Sequence, residues 1–261
     1  MTEIHSTAIV EDGAVIGEGV KIGPYSVIGS DVKLGDNVEL KSHVVVAGDT
    51  TIGAETSIFP FASIGHQAQD LKFHGEAATL TIGERCIIRE GVTINPGTEG
   101  GGASTTIGNN CAFLANSHVG HDSHLGDRVI MSNNVMIAGH VSVGNNVIFG
   151  GASAVIQFTR VGDHAFVGGM AGLENDLIPF GLVTGNRASL GGLNLIGLKR
   201  AGFPRDHIHA LRAAYKTLFE SNEGTLRSRT EAIAAETADQ PLVKIVTDFI
   251  LAKEDARFCT P

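Results

Sequence analysis

Ala14-Val-Ile-Gly-Glu-Gly19, Val20-Lys-Ile-Gly-Pro-Tyr25, Ser26-Val-Ile-Gly-Ser-Asp31 and Val32-Lys-Leu-Gly-Asp-Asn37 are consecutive hexads of one design, an aliphatic at the third place and a glycine after it. The aliphatic series starts at Val10 and runs through Ile16, Ile22, Ile28, Leu34, Leu40, Val46, Ile52 and Ile58 to Ile64. It resumes at Ile82, Ile88 and Ile94. A third run goes from Ile107 through Phe113, Val119, Leu125, Met131, Ile137, Val143, Phe149, Val155, Val161 and Val167 to Leu173, with no polar exception. A period of six fits neither the 3.6 of a helix nor the alternation of a simple sheet. It is the signature of a hexapeptide-repeat β-solenoid, in which three hexads make one triangular coil. The aliphatic points inward, and stacked coils bury a continuous column. The period does not fix the hand of the coil.

The composition agrees. Glycine supplies 34 of 261 residues, and tryptophan is absent. A tight turn in every repeat accounts for that glycine. The net charge of −9 argues against general nucleic-acid binding. Cys86, Cys111 and Cys259 give no disulfide framework, and the first two read as small packing residues two places before a repeat aliphatic. Met1 to Ile9 carries Glu3 and His5 and no apolar h-region, and no run approaches 18 apolar residues. The expectation is a soluble, cytoplasmic protein with no integral membrane association.

Residues 1–190 therefore read as a β-helix with loop insertions at 65–81 and 95–106, and residues 191–261 as an α-helical C-terminal domain. The first insertion is polar, with Gln69, Asp70, Lys72 and His74. The second has Gly100, Gly101 and Gly102 but no strand–glycine–helix context, so it reads as a flexible loop rather than a phosphate cradle. Leu177–Phe203 reads as an irregular connector. Three helices follow: Ile208, Leu211, Tyr215, Leu218 and Phe219 form one stripe, Thr225–Ala238 a weaker helix, and Leu242, Ile245, Val246, Phe249 and Ile250 a stripe after Pro241. Such helices are expected to cap the solenoid end. Residues 198–229 are basic: Lys199, Arg200, Arg205, Arg212, Lys216, Arg227 and Arg229 stand against Asp206, Glu220 and Glu223. That patch fits an acidic partner or a phosphate ligand, or simply a solvated helical face.

Eighteen-residue stacking also locates chemistry. It puts His121, Gly139 and Gln157 in one column and Asp122, His140 and Phe158 in the next. An imidazole, an uncovered backbone N–H, a carboxylate and a second histidine then meet within two coils. They supply a general base, an oxyanion donor and an orienting group. A solvated turn face is the bland alternative. A metal site is a third reading, but His-x-x-His on extended chain does not converge as it does on a helix, and no metal is expected.

Gly65-His-Gln-Ala-Gln-Asp-Leu-Lys-Phe73, Asn116-Ser-His-Val-Gly-His-Asp122, Ala138-Gly-His-Val-Ser-Val143 and Gly197-Leu-Lys-Arg200 through Gly202-Phe203 resemble the UDP-N-acetylglucosamine acyltransferase family of lipid A biosynthesis. The resemblance covers essentially the whole chain. It implies a homotrimer of left-handed parallel β-helices with sites in clefts between subunits. It further implies transfer of a 3-hydroxyacyl group from acyl carrier protein to the 3-position of UDP-GlcNAc, with no cofactor beyond the carrier's phosphopantetheine. His121 matches the general base, Asp122 its orienting partner and the Gly139 N–H the oxyanion donor. His118, His140 and Gln157 match sugar and diphosphate contacts. Gln69, Asp70 and Lys72 match the projecting loop's contacts, and Asn194 and Arg200 nucleotide and phosphate contacts. Gly169 matches the position whose bulk limits the acyl groove, and its lack of a side chain implies a long donor chain. The basic C-terminal patch would meet the acidic carrier protein.

Three positions depart from the pattern. Ile156 stands where members have a histidine, Ile196 replaces a glutamate, and Ala201 the second of two arginines. They put the acceptor in question, because some relatives acylate a 3-amino UDP-sugar. Another hexapeptide acyltransferase and a non-catalytic sugar-nucleotide binder are the remaining alternatives. The later N-acyltransferase of the same pathway carries an additional N-terminal domain, whereas repeats here begin near Ala8.

Overall fold

The computed structural model describes every residue except Asn222. Its first two-thirds is a three-sided prism of two-residue strands joined by tight turns. The first face runs from Glu3–Ile4 to Phe166–Val167, the second from Ile9–Val10 to Gly172–Leu173, and the third from Val15–Ile16 to Arg160–Val161. Each strand pairs in parallel with its counterpart one coil on, as Lys21↔Glu39, Val27↔Val45 and His118↔Met136.

The second residue of each strand faces inward. Ile28, Leu40, Ile58, Ile64, Ile88, Ile94, Phe113, Val119, Ile137 and Phe149 are at most 1% exposed. Burying such a side chain stabilises the fold by roughly 1.5–3 kcal/mol, so a one-residue slip of register would be costly. Cys86 and Cys111 are buried and unbridged, filling this core as the sequence implies.

Most turns put one residue in the left-handed region. Asn37, Asn110, Asn134 and Asn146 occupy it, as do Asp122 (φ 57°), His140 (φ 60°) and Phe158 (φ 65°). Asparagine and aspartate tolerate that region, whereas a bulky side chain there is an outlier that surrounding structure must hold. At the corner between the third and first faces, the N–H before that residue is capped by the next coil. Asn109 donates to Asp127, Asp127 to Asn145, and Asn145 to Asp163, at 2.6–2.8 Å.

Two stretches of the coil stack carry no strand. Pairing resumes at Thr79 and at Ser104, because Thr79–Ile82 and Ser104–Ile107 are four-residue strands paired with each other, the former also with Asp49–Ile52. The projecting chain is therefore 65–78 and 95–103.

The connector is more ordered than the sequence indicates. Gly181–Thr184 and Ser189–Leu193 form an antiparallel hairpin on the first face. Helix α1, Leu195–Arg200, follows, its N-terminus capped by the Asn194 side chain accepting from the Gly197 N–H. A six-residue helix is too short to show a 3.6 period. Helices α2 (Arg205–Phe219), α3 (Leu226–Glu236) and α4 (Pro241–Leu251) pack on one another, so the described residues hold four α-helices in place of the expected three. Thr225 and Ser228 make a capping box on α3. Ile245 departs from the expected stripe: it is 38% exposed and lines a groove between α4 and the third face. Thr247 is buried in its place, so the packed face is rotated from the purely apolar one. The tail returns to the solenoid, with the Cys259 N–H on the Asp176 carbonyl at 2.9 Å.

Candidate active site

The corner between the second and third faces assembles the chemistry. Strands His118–Val119 and His124–Leu125 end there, and the turn between them carries His121 and Asp122. Both are buried, at 4% and 3% exposure. The left-handed conformation of Asp122 folds its carboxylate back toward the preceding imidazole, and His121 Nδ1 lies 2.8 Å from Asp122 Oδ2. An ionised carboxylate only accepts, so Nδ1 carries the proton and Nε2 keeps a free lone pair. The His121 ring meets His140 edge-on at 4.9 Å, and His140 stacks on Phe158 at 4.6 Å.

Gly139 lies one coil from His121. A Cβ there would come within 2.6 Å of both Cε1 and Nε2 of the His121 ring. Its N–H donates to no protein group among the described residues, in contrast to the capped N–H groups of the neighbouring corner. Gly139, whose N–H has no protein acceptor among the described residues, is thus packed against the imidazole edge that carries Nε2.

Asp122 makes three further hydrogen bonds. The Thr98 N–H donates to Oδ1 at 2.8 Å and the Thr98 hydroxyl to Oδ2 at 2.6 Å, and the Asp122 N–H donates to the Thr105 hydroxyl at 2.8 Å. Burial raises the Asp122 pKa, but the Thr98 hydroxyl, His121, the Thr98 N–H and nearby His140 outweigh it and leave it below the usual carboxylate value. Thr98 sits on the second insertion, which the sequence reading takes as a flexible loop. Its role was invisible there because an irregular insertion has no period to place its residues.

His118 faces outward on the second face and bonds Thr93 Oγ1 at 2.7 Å. Burial first, and His121 second, lower its pKa, which leaves it a neutral hydrogen-bonding group. Asp70, Lys72, His74 and Glu76 of the first insertion face Thr98, Glu99 and Gly100 of the second and the His140–Phe158 stack across a cavity of about 590 Å³. Glu76 joins the insertions by accepting the Glu99 N–H at 3.4 Å. Gln69 is exposed and Gln157 is exposed on the next coil; neither lines this cavity.

The remaining sequence-predicted site residues lie elsewhere on the chain. Asn194 and Arg200 line a separate cavity of about 490 Å³ with Asn146, His164, Ile196 and Ala201, against the first face. Gly169 sits on the edge between the first and second faces, where a Cβ would meet only Gly151, no closer than 3.4 Å. The basic patch is smaller than its residue count: Arg229 donates to the Leu218, Glu223 and Gly224 carbonyls, and Arg227 pairs with Glu231. Lys199, Arg205 and Arg212 line one groove with His209.

His121, Asp122 and His140 offer three ligand atoms within 4.8 Å of one another. Asp122 Oδ2 already accepts two hydrogen bonds and His121 Nδ1 donates one of them, so the arrangement is that of a hydrogen-bonded acid–base pair. The groove of about 680 Å³ beside α4 contains none of these groups.

A family model described as UDP-N-acetylglucosamine O-acyltransferase, domain 2, matches residues 176–258, and one for bacterial transferase hexapeptide repeats matches 13–48 and 104–139. An acyl-[acyl-carrier-protein]–UDP-N-acetylglucosamine O-acyltransferase of Rhizobium rhizogenes is 52% identical over 258 residues, 99% of this chain and 95% of the relative. Its counterpart in Methylobacterium radiotolerans is 61% identical over 204 residues, 78% and 75% of the two chains. A crystal structure of a UDP-N-acetylglucosamine acyltransferase superposes with a TM-score of 0.96 at 39% identity, over 99% of both chains. The fold is accordingly a left-handed parallel β-helix with a small helical C-terminal part.

Proposed function

The chain belongs to the UDP-N-acetylglucosamine O-acyltransferase family, and from that premise we propose that it moves a 3-hydroxyacyl group from acyl carrier protein to the 3-hydroxyl of UDP-N-acetylglucosamine, the first step of lipid A biosynthesis. The observation that carries the mechanism is the His121–Asp122 pair with its free Nε2 on the ring edge packed against Gly139, whose N–H has no protein acceptor among the described residues. Nε2 takes the proton of the sugar 3-hydroxyl as that oxygen attacks the thioester carbonyl. Asp122 stabilises the imidazolium that forms, and the Gly139 N–H receives the developing oxyanion. The tetrahedral intermediate then expels the phosphopantetheine thiolate, which takes the proton from His121. The protein supplies base, donor and orientation, and no metal or other cofactor enters a step.

The working unit is a homotrimer with sites between subunits. Two observations support this. The outward positions of the second face, among them Val27, Val45, Thr93, Met136 and Ala154, carry no charged side chain, unlike Glu3, Lys21 and Glu39 on the first. The second is that Asn194 and Arg200 lie on a different face from His121 in one chain, so a neighbour must bring them to the same acceptor. Lys72 and Arg200 would then pair with the diphosphate, with His118, His140, Gln157, Gln69 and Asp70 on the sugar nucleotide. Lys199, Arg205 and Arg212 would dock the acidic carrier protein. We place the enzyme in the cytoplasm; three buried free thiols suit a reducing compartment.

Transfer assays with 3-hydroxyacyl carrier proteins and two acceptors test this reading. UDP-GlcNAc is expected to give the higher kcat/KM. Ile196 and Ala201, in the cavity of Asn194 and Arg200, favour a second reading in which the acceptor is the 3-amino sugar and the product an amide. A roughly hundredfold preference for the amine, about 2.7 kcal/mol, would establish that one instead.

Gly169 leaves open space at its edge, so the donor chain should be long. Gly169→Met is expected to shift preference toward shorter acyl groups in competition assays. An unchanged chain-length profile would remove Gly169 from the acyl groove.

A further inference from the structure

We propose that Thr98 is a positioning residue for the transfer: it fixes the plane of the Asp122 carboxylate so that Oδ2 meets His121 Nδ1 and Nε2 stays free for the acceptor hydroxyl. The inference rests on the assignment of His121 as base.

The left-handed turn determines where the Asp122 side chain starts but not how its carboxylate is turned, because that terminal torsion is broad and roughly two-fold. Left alone, the oxygens would sweep past the imidazole. Thr98 removes this freedom with two donors from one residue, its N–H on Oδ1 at 2.8 Å and its hydroxyl on Oδ2 at 2.6 Å. Thr98 is 5% exposed and the Asp122 side chain fully buried, so water cannot replace these donors cheaply.

The insertion is shaped to deliver them. The Thr98 carbonyl accepts from the Gly101 and Ala103 N–H groups at 3.0 and 2.8 Å, closing the loop on itself. A Cβ on Gly101 would overlap the Asp122 carboxylate, and one on Gly97 the backbone of Ala103 and Ser104. These two glycines are required for close approach to the carboxylate, and not for the flexibility that a glycine-rich sequence brings to mind.

The test compares Thr98→Val, which keeps shape and loses the hydroxyl, with Thr98→Ser, which keeps the hydroxyl. Thr98→Val is expected to lower kcat roughly 10- to 100-fold with KM for UDP-GlcNAc unchanged. It should also shift the ¹⁵N signals of neutral His121 from the Nδ1–H toward the Nε2–H tautomer. Thr98→Ser should restore both. Should the valine variant fail to fold, Gly101→Ala displaces the same carboxylate with Thr98 intact, and wild-type kcat there overturns the proposal. His121→Ala separates the two levels. Transfer surviving His121→Ala removes the base and this role with it. Transfer lost in His121→Ala but normal in Thr98→Val, with an unchanged tautomer, removes only the role of Thr98.

Discussion

Replacing His121 by alanine is expected to lower kcat for acyl transfer by roughly 10²–10⁴-fold, the range of a positioned proton transfer, while KM for the UDP-sugar changes little. His121 is 4% exposed and held at Nδ1 by Asp122. His140 is the nearest imidazole, but it stacks on Phe158 and lies nearly perpendicular to the His121 ring. The fold should tolerate the change, since the stacked aliphatic core does not include His121. Steady-state kinetics with a purified 3-hydroxyacyl carrier protein would decide. Wild-type kcat in a folded variant would mean that the base lies elsewhere, and a loss confined to KM would make His121 a binding group.

Gly139→Ala should be almost as damaging, by a different route. The added methyl would stand 2.6 Å from Nε2 and Cε1 of His121, closer than real contacts allow. The imidazole cannot retreat, because Asp122 is fixed by Thr98 on its far side. Gly139 does not have a positive φ, so alanine brings no backbone strain and the variant should fold. The methyl displaces the basic nitrogen and crowds the N–H assigned to the oxyanion, and we expect a kcat loss of roughly 10²–10³-fold, comparable to losing an oxyanion donor. A melting temperature near that of the parent together with parental kcat would show that acceptor and thioester approach from another side.

Much of this geometry is legible in the chain. Val119, Ile137 and Val155 set a register of 18, and from it alone His121 falls against Gly139 and Asp122 against His140; a Cβ on Gly139 would meet the His121 ring, and His140 Nε2 lies 3.9 Å from Asp122 Oδ2. The inward hexad residues are likewise the buried ones, because a repeated strand cannot change its inward face without shifting every coil. Resemblance then adds roles to residues that periodicity can only place. The connector was harder to read. Gly181–Thr184, Ser189–Leu193 and α1 are too short or too glycine-rich to show a period; the hairpin is ordered by pairing with Phe166–Val167, and α1 by Leu198 buried in the core and Asn194 donating to the His164 carbonyl. Ile245 shows a related limit. Apolar spacing identifies α4 but not which side of it faces the solenoid.

The sequence by itself determined the triangular coil, the position of both insertions and the column holding His121, since these follow from a period that every repeat must share to bury its aliphatic. Tertiary structure alone decided what the insertions do. The second brings Thr98 onto Asp122 from a point with no fixed register to it, so the chain carries no local signal for the contact. It forms because a buried carboxylate needs donors on both oxygens, and the folded loop supplies them where the repeat does not.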